Sequence, residues 1–238
     1  MVERRKEVPR AVISDVDGTL TDSQRRMDFG ALRAIRSLSD RGVPVIFATG
    51  NVLPVVLGLY RFLGLSTPII AENGGLVYFP DDRIVRLARR APAWKAYLSL
   101  RKELPVRTLF TDRWRETEVA LEPTVPAEEV ASRVAPLGIK VEHTGFAIHL
   151  FQPTAGKLAA ARIALEGMGL SLEDCLFAGD GDNDVELLRA VGVGVSFPDA
   201  SPRARAAADY VTRARRGAGF LEALKRFGLM PGPREGVH

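Results

Sequence analysis

Apolar and polar positions along this chain follow two rhythms. Short unbroken apolar runs rich in β-branched and aromatic residues occur at Ala11-Val12-Ile13, Val43 to Thr49, Pro68 to Ala71, Cys175-Leu176-Phe177-Ala178 and Val193 to Phe197. Runs of that kind predict strands buried on both faces, as in a parallel sheet. Between them the apolar residues recur at helical spacing: Leu53, Val56, Leu57 and Tyr60 mark one helix face, and Leu158, Ala161, Leu165 and Met168 another. A further helix is predicted from about Asp184. Strand and helix therefore alternate at both ends of the chain, the signature of a doubly wound, Rossmann-like α/β core with a parallel sheet.

The middle reads differently. From Asp82 to Pro153 the pattern predicts a strand, a helix over Trp94 to Leu104, two strands around Leu109 and Val119, a helix over Ala127 to Ala135, and strands around Val141 and Ile148. That order predicts an antiparallel α+β insert. The expected organisation is a core of residues 1–81 and 155–238 with an inserted cap domain at 82–154. There is no internal repeat, and the Pro/Gly-rich tail from Pro231 to His238 is expected to fray.

Composition narrows the setting. The 238 residues are 46% apolar, enough for a core and a smaller domain, and no apolar run approaches the roughly 20 residues of a membrane span. Met1 to Glu7 lacks the apolar stretch of a signal peptide, so the expectation is a cytoplasmic chain without a membrane partner. Its single cysteine, Cys175, lies in an apolar run and reads as a buried structural thiol. The formal charge of +4 is spread over scattered residues without an RNA-binding or zinc signature, which argues against nucleic acid and favours anionic substrates. Arg outnumbers Lys 27 to 6, and there are only two Gln and three Asn, a bias shared by thermophilic and GC-rich sources. Those three, Asn51, Asn73 and Asn183, all sit in the motifs below.

The candidate chemistry lies where strands end. Asp15-Val16-Asp17-Gly18-Thr19-Leu20-Thr21 follows the first apolar run, and Gly179-Asp180-Gly181-Asp182-Asn183-Asp184 follows the Cys175 run. Parallel sheets bind ligands beyond the carboxyl ends of their strands, so both clusters are expected to line one crevice. Carboxylates packed so closely repel one another unless a cation sits among them, which implies a hard divalent ion, Mg²⁺ first. An EF-hand is excluded: counted from Asp15 its sixth and twelfth positions hold Leu20 and Arg26, and from Asp180 they hold Val185 and Val191. Either cluster alone could be turn and cap acids, the commonest role of Asp beside Gly. Thr49-Gly50-Asn51 closes a strand and opens a helix, a natural phosphate seat, although Thr and Asn are also ordinary caps. Lys157, after Gly156, opens another helix, where a cation is disfavoured by the dipole unless an anion meets it.

Taken together, these residues resemble the haloacid dehalogenase superfamily of phosphotransferases, whose four elements occur in the same order: Asp15-Val16-Asp17-Gly18-Thr19, Thr49, Lys157, and Gly179 to Asp184. The insert resembles that of the subgroup with an α/β cap. Thr49-Gly50-Asn51-Val52-Leu53-Pro54 and Glu72-Asn73-Gly74-Gly75 are most similar to archaeal-type phosphoglycolate phosphatases. The resemblance implies that Asp15 is the nucleophile, and that Asp17 is the acid and base whose backbone carbonyl also binds metal. It further implies that Thr49, Gly50, Asn51 and Lys157 hold the phosphoryl group and that Asp180 and Asp184 complete the Mg²⁺ shell with Asp15. Asn183 would touch substrate or orient Asp184, and Asp182 would be a helix cap or a partner of a ligand. The substrate implied is a small phosphorylated metabolite, 2-phosphoglycolate first, with a basic residue of the insert such as Arg113 or Arg115 expected to hold its carboxylate, and the assembly is a candidate homodimer.

Two alternatives stay open from the sequence. One is a sugar-phosphate phosphatase or phosphohexomutase of the same superfamily. The other is a phosphate-binding regulatory module without turnover, against which the pair Asp15 and Asp17 argues, because a binder needs no leaving-group acid. His143, His149 and His238 lack metal spacing and are expected to pack or to face solvent. Trp114 between Arg113 and Arg115 is a candidate lid contact with an equally ordinary role as an exposed edge.

Overall fold

Residues 8–144 and 146–230 are described in the structure, a computed structural model. The expected frayed tail and His238 lie outside the described residues. In chain order the elements are β1 (Ala11–Ser14), α1 (Phe29–Asp40), β2 (Val45–Ala48), α2 (Leu53–Phe62), β3 (Ile69–Ala71), β4 (Leu76–Tyr78), β5 (Ile84–Arg86), α3 (Arg90–Leu100), β6 (Val119–Leu121), α4 (Ala127–Val134), β7 (Lys140–His143), β8 (Ile148–Phe151), α5 (Lys157–Glu166), β9 (Cys175–Ala178), α6 (Val185–Ala190), β10 (Val193–Ser196), α7 (Pro202–Ala207), β11 (Tyr210–Val211) and α8 (Arg216–Arg226). None of the helices among the described residues is long and apolar enough to cross a membrane.

Close packing divides the chain into two units. The first comprises the described residues through Phe47, then Arg61–Thr67 and the chain from Gly169 onward; the second comprises Ala48–Tyr60 and Pro68–Met168. In the first unit the strands run in the order β11-β10-β9-β1-β2, all parallel, with Ala11 beside Cys175 and Val12 beside Val45. Every residue of β1, β9 and β10 is buried, which is why their sequences are unbroken apolar runs rather than alternations. Helix α1 starts at Asp28, whose side chain accepts the Ala31 N–H at 2.9 Å, and buries Ala31, Ala34, Ile35 and Leu38 at i, i+3, i+4 and i+7. Leu38, Phe47, Phe177, Phe197 and Phe220 are all essentially inaccessible. Each such side chain contributes about 1.5–3 kcal/mol relative to exposure.

The second unit is antiparallel in its sheets. Strands β3, β4 and β5 form consecutive hairpins, and β6, β8 and β7 form a three-stranded sheet. Ala93, Ala96, Tyr97 and Leu100 of α3 pack with Val130 and Val134 of α4 over Val119, Leu121, Ile148 and Leu150. Two elements differ from expectation. The helix expected over Trp94 to Leu104 begins at Arg90 and ends at Leu100. No strand forms around Leu109 beyond an isolated bridge from Thr108 to Leu121, and a 3-10 turn occupies Phe110–Trp114. The cause is local: the Asp112 carboxylate accepts the Ala120 N–H at 2.9 Å, taking the donor a further paired strand would need.

Candidate active site

The first unit brings three of the expected carboxylates together. Strand β1 ends at Ser14, and the Asp15 N–H still bonds Ala178 of the neighbouring β9 at 2.9 Å, so the side chain of Asp15 emerges at the carboxyl end of the sheet. The chain then turns tightly: the Leu20 N–H donates to Val16 at 2.8 Å, and Gly18 adopts a left-handed φ of 78° with its N–H on Thr21 Oγ1 at 2.9 Å. A Cβ on Gly18 would lie 2.2 Å from Asp180 Oδ2, so only glycine lets the two loops approach. Thr19 Oγ1 donates to Asp180 Oδ1 at 3.1 Å. The second loop is folded by its own acid, since Asp184 Oδ2 accepts the N–H groups of Asp180 and Gly181 at 2.9 Å each. Asp15, Asp180 and Asp184 each offer a carboxylate oxygen, all within 4.8 Å of one another.

This donor set fits a divalent ion of the Mg²⁺ class. It is oxygen-only and anionic, and it holds no thiolate or imidazole that would favour a softer metal. Cys175, in β9, is buried and its thiol is pushed up to about 12 by desolvation and the nearby Asp174 charge, so it is neither ligand nor nucleophile.

The other acids of the motifs make contacts of their own. Asp17 is half-buried and pairs with Arg25 Nε at 3.1 Å, and Arg25 itself holds a left-handed φ of 61°. Asp182 accepts Ser201 Oγ at 2.6 Å and Arg203 Nη1 at 3.1 Å, which ties its loop to the start of α7, where Ser201 is the N-cap. Asn183 folds back, its Oδ1 lying 2.3 Å from where a Gly181 Cβ would be.

The remaining expected residues lie in the second unit, around the hairpin turn Glu72–Gly75. Three consecutive residues there, Glu72, Asn73 and Gly74, have φ values of 52°, 54° and 86°. For the two non-glycine residues that conformation costs about 1–2 kcal/mol each and persists only where surroundings enforce it. They do. The Glu72 carboxylate accepts the Thr117 N–H at 2.8 Å, Thr117 Oγ1 at 2.6 Å and the Glu116 N–H at 3.0 Å. Glu72 and Asn73 N–H groups bond the carbonyls of Asn51 and Thr49 at 3.0 and 3.1 Å. A Cβ on Gly74 would lie 2.3 Å from the Gly156 carbonyl and 2.6 Å from the Lys157 backbone nitrogen, so the turn also abuts the start of α5. Thr49, Gly50 and Asn51 are thus gathered on the same turn as buried Lys157.

Beneath that turn lies a polar cluster that motif reading did not assemble. Glu118 is inaccessible and meets Arg115 Nη1 in a close ion pair, Asn73 Nδ2 at 3.0 Å and His149 Nδ1 at 2.9 Å. Burial alone would raise the Glu118 carboxyl, but the Arg115 guanidinium, then His149 and the Asn73 amide, outweigh it and hold Glu118 below the usual range. Glu72 is pushed up by burial and by the Glu118 charge, and Asp112 by burial. The expectation of Arg115 at an exposed edge is therefore corrected: its side chain is buried and committed to Glu118 and to the Gly50 carbonyl at 3.0 Å. Arg113 and Trp114 are exposed, with Arg113 4.1 Å from the Phe110 ring centroid. His149 packs inside and His143 faces solvent, as expected.

Residues 12–98 and 121–224 match the model of the haloacid dehalogenase-like hydrolases. The chain belongs to that family. It is 40% identical over 218 residues to a phosphoglycolate phosphatase of Methanothermobacter thermautotrophicus, covering 92% of this chain and 98% of that one. It is 32% identical over 223 residues to a phosphoglycolate phosphatase of Archaeoglobus fulgidus, with 93% and 98% covered. The solved structure of Thermoplasma acidophilum 0175 superposes with a TM-score of 0.88 at 29% identity, over 94% of this chain and all of that one. A haloacid dehalogenase-like hydrolase structure from Bacteroides thetaiotaomicron, 18% identical with a TM-score of 0.72 over 92% and 99% of the two chains, shares the fold.

Proposed function

We propose that the chain is a Mg²⁺-dependent phosphatase that hydrolyses 2-phosphoglycolate to glycolate and phosphate. The observation that carries the reading is the convergence of Asp15, Asp180 and Asp184 at the ends of adjacent parallel strands, supported by the names of relatives up to 40% identical. The core of residues 1–81 and 155–238 and the inserted cap at 82–154 are part of the same reading.

In this reading Asp15 attacks phosphorus, forming an oxygen–phosphorus bond as the ester bond to glycolate breaks. Asp17 gives its proton to the leaving alkoxide and then takes one from the water that attacks the aspartyl-phosphate, which releases phosphate and restores both acids. Thr49, Gly50, Asn51 and Lys157 bind phosphoryl oxygens, and Asn183 steadies the site. Asp15, Asp180, Asp184 and the Asp17 carbonyl hold Mg²⁺, which when bound supplies charge stabilisation for the transferring phosphoryl group. Arg113, whose side chain is exposed, is one of the basic residues of the insert available to pair with a substrate carboxylate. The test is phosphate release from a panel of small phosphorylated metabolites with Mg²⁺. Phosphoglycolate should give the highest kcat/KM; a neutral sugar phosphate in first place would remove the substrate, and no release at all would favour a binding module.

A further inference from the structure

The loop Thr49-Gly50-Asn51 presents three consecutive carbonyls, and each accepts a bond from one buried network: Thr49 from the Asn73 N–H at 3.1 Å, Gly50 from Arg115 Nη1 at 3.0 Å, and Asn51 from the Glu72 N–H at 3.0 Å. A peptide unit is planar and trans, so a carbonyl drawn one way turns the N–H of the following residue the other way. Fixing these three carbonyls therefore fixes the direction of the Gly50 and Val52 N–H groups, donors a phosphoryl group would meet at the start of α2, and of the Asn51 N–H, which donates to Thr49 Oγ1 at 3.0 Å. Glu118 governs two of the three clamps, because it holds both the Arg115 guanidinium and the Asn73 side chain.

We propose that Glu118 is a positioning residue that sets the peptide planes of the phosphate-binding loop through Arg115 and Asn73. The proposal rests on the reading of Thr49-Gly50-Asn51 as the phosphate seat. Stability alone is a poor reason for the network. A buried ion pair can be replaced by apolar packing without loss, and here Arg115 Nε is buried with no hydrogen-bond partner, an added cost. What the network supplies that apolar packing could not is direction, delivered to three successive peptide units.

The test compares Asn73→Gly, Glu118→Gln and Arg115→Lys with the wild type and with Thr49→Val. Glycine retains the left-handed backbone at position 73 while removing the bond to Glu118, so Asn73→Gly decides the matter even if Glu118→Gln does not fold. The readouts are kcat, KM, the competitive inhibition constant of inorganic phosphate, the Mg²⁺ requirement and Tm. Misplacement of a binding group by about 1 Å can cost as much as ~100-fold. The expected result is a rise of roughly tenfold or more in KM and in the phosphate inhibition constant for Asn73→Gly and Glu118→Gln, with the Mg²⁺ requirement unchanged. Arg115→Lys keeps the charge beside Glu118 and should fall between these variants and the wild type. Wild-type KM and phosphate inhibition in folded Asn73→Gly, with Thr49→Val impaired, would overturn this proposal alone. If Thr49→Val also binds phosphate normally, the phosphate-seat reading falls and this proposal with it.

Discussion

The cluster of Asp15, Asp180 and Asp184 and the cluster of Glu72, Asp112 and Glu118 each concentrate three acids, yet they are built in different ways. The second carries its own counter-charge in Arg115 and Arg90, with His149 bonded to Glu118. It is built to be complete when the chain folds. The first is gathered at loop ends, where the Thr19 hydroxyl bonds Asp180 and backbone N–H groups bond Asp184, folding the two loops. Three carboxylate oxygens within 4.8 Å of one another at loop ends suit a divalent cation, whereas the buried network is committed to side chains of its own unit.

The largest effect should come from the first cluster and leave the fold untouched. Asp15→Asn keeps size but removes the nucleophile, so turnover should fall by about 10⁴-fold or more while Tm changes little. Substantial steady-state hydrolysis by a verified Asp15→Asn preparation would refute the covalent mechanism. The second cluster should show the opposite pattern. Glu118→Ala strands the Arg115 charge in the interior and should cost about 3–5 kcal/mol of stability, read as a lowered urea midpoint. A midpoint within error of the wild type would mean that water or a neighbour compensates Arg115, and the comparison would fail.

Metal dependence comes next. Chelation should abolish activity, Mg²⁺ should restore it, and Ca²⁺ should support it poorly because its longer, more numerous bonds misplace Asp15. Asp180→Ala and Asp184→Ala should each raise the Mg²⁺ requirement by roughly tenfold or more. Saturating Mg²⁺, at about 100 times its dissociation constant, should add about 2.7 kcal/mol to the stability of the wild type and less to those variants. Equal Mg²⁺ stabilisation of all three proteins would remove the two aspartates as ligands.

How much of this was legible in the sequence follows from distance along the chain. The acidic motifs were readable because each is local: an apolar strand, an exit acid and a glycine that admits the neighbouring loop. Glu72, Thr117, Glu118 and His149 were not, because each is ordinary alone and the network joins positions up to about 80 residues apart. Arg115 was misread as exposed for the same reason, since its neighbours at Gly50 and Glu118 are invisible to a local pattern. The strand expected near Leu109 failed on one side-chain bond from Asp112. The one available signal was Asn73, among only three asparagines in the chain.

A smaller effect concerns pH. Glu118 has a native carboxyl value lowered from 4.5, so the stability it contributes is present above the unfolded value and is lost as pH falls through the lowered native one. Glu72 and Asp112 are raised and act with the opposite sign, favouring the fold as they protonate. Stability of the wild type should therefore fall more steeply below about pH 4.5 than that of Glu118→Gln. Urea titrations at successive pH values measure this, and parallel curves would show that Glu118 does not set the acid limb.

The smallest expected effect is at the substrate. Glycolate offers little apolar surface, so discrimination against neutral sugar phosphates has to come from its carboxylate. Arg113 stands 4.1 Å from the Phe110 ring centroid and 5.6 Å from that of Trp114, a stacking that holds the guanidinium plane without consuming its hydrogen-bond donors. Arg113→Ala should lower kcat/KM for phosphoglycolate by about tenfold, equivalent to about 1.4 kcal/mol, and leave p-nitrophenyl phosphate nearly unchanged. The tenfold figure reflects an exposed pair, screened by solvent, rather than one as buried as Arg115 and Glu118. Equal losses on both substrates would place Arg113 in general anion attraction, and no loss on either would move the carboxylate contact to another residue while leaving the phosphatase reading intact.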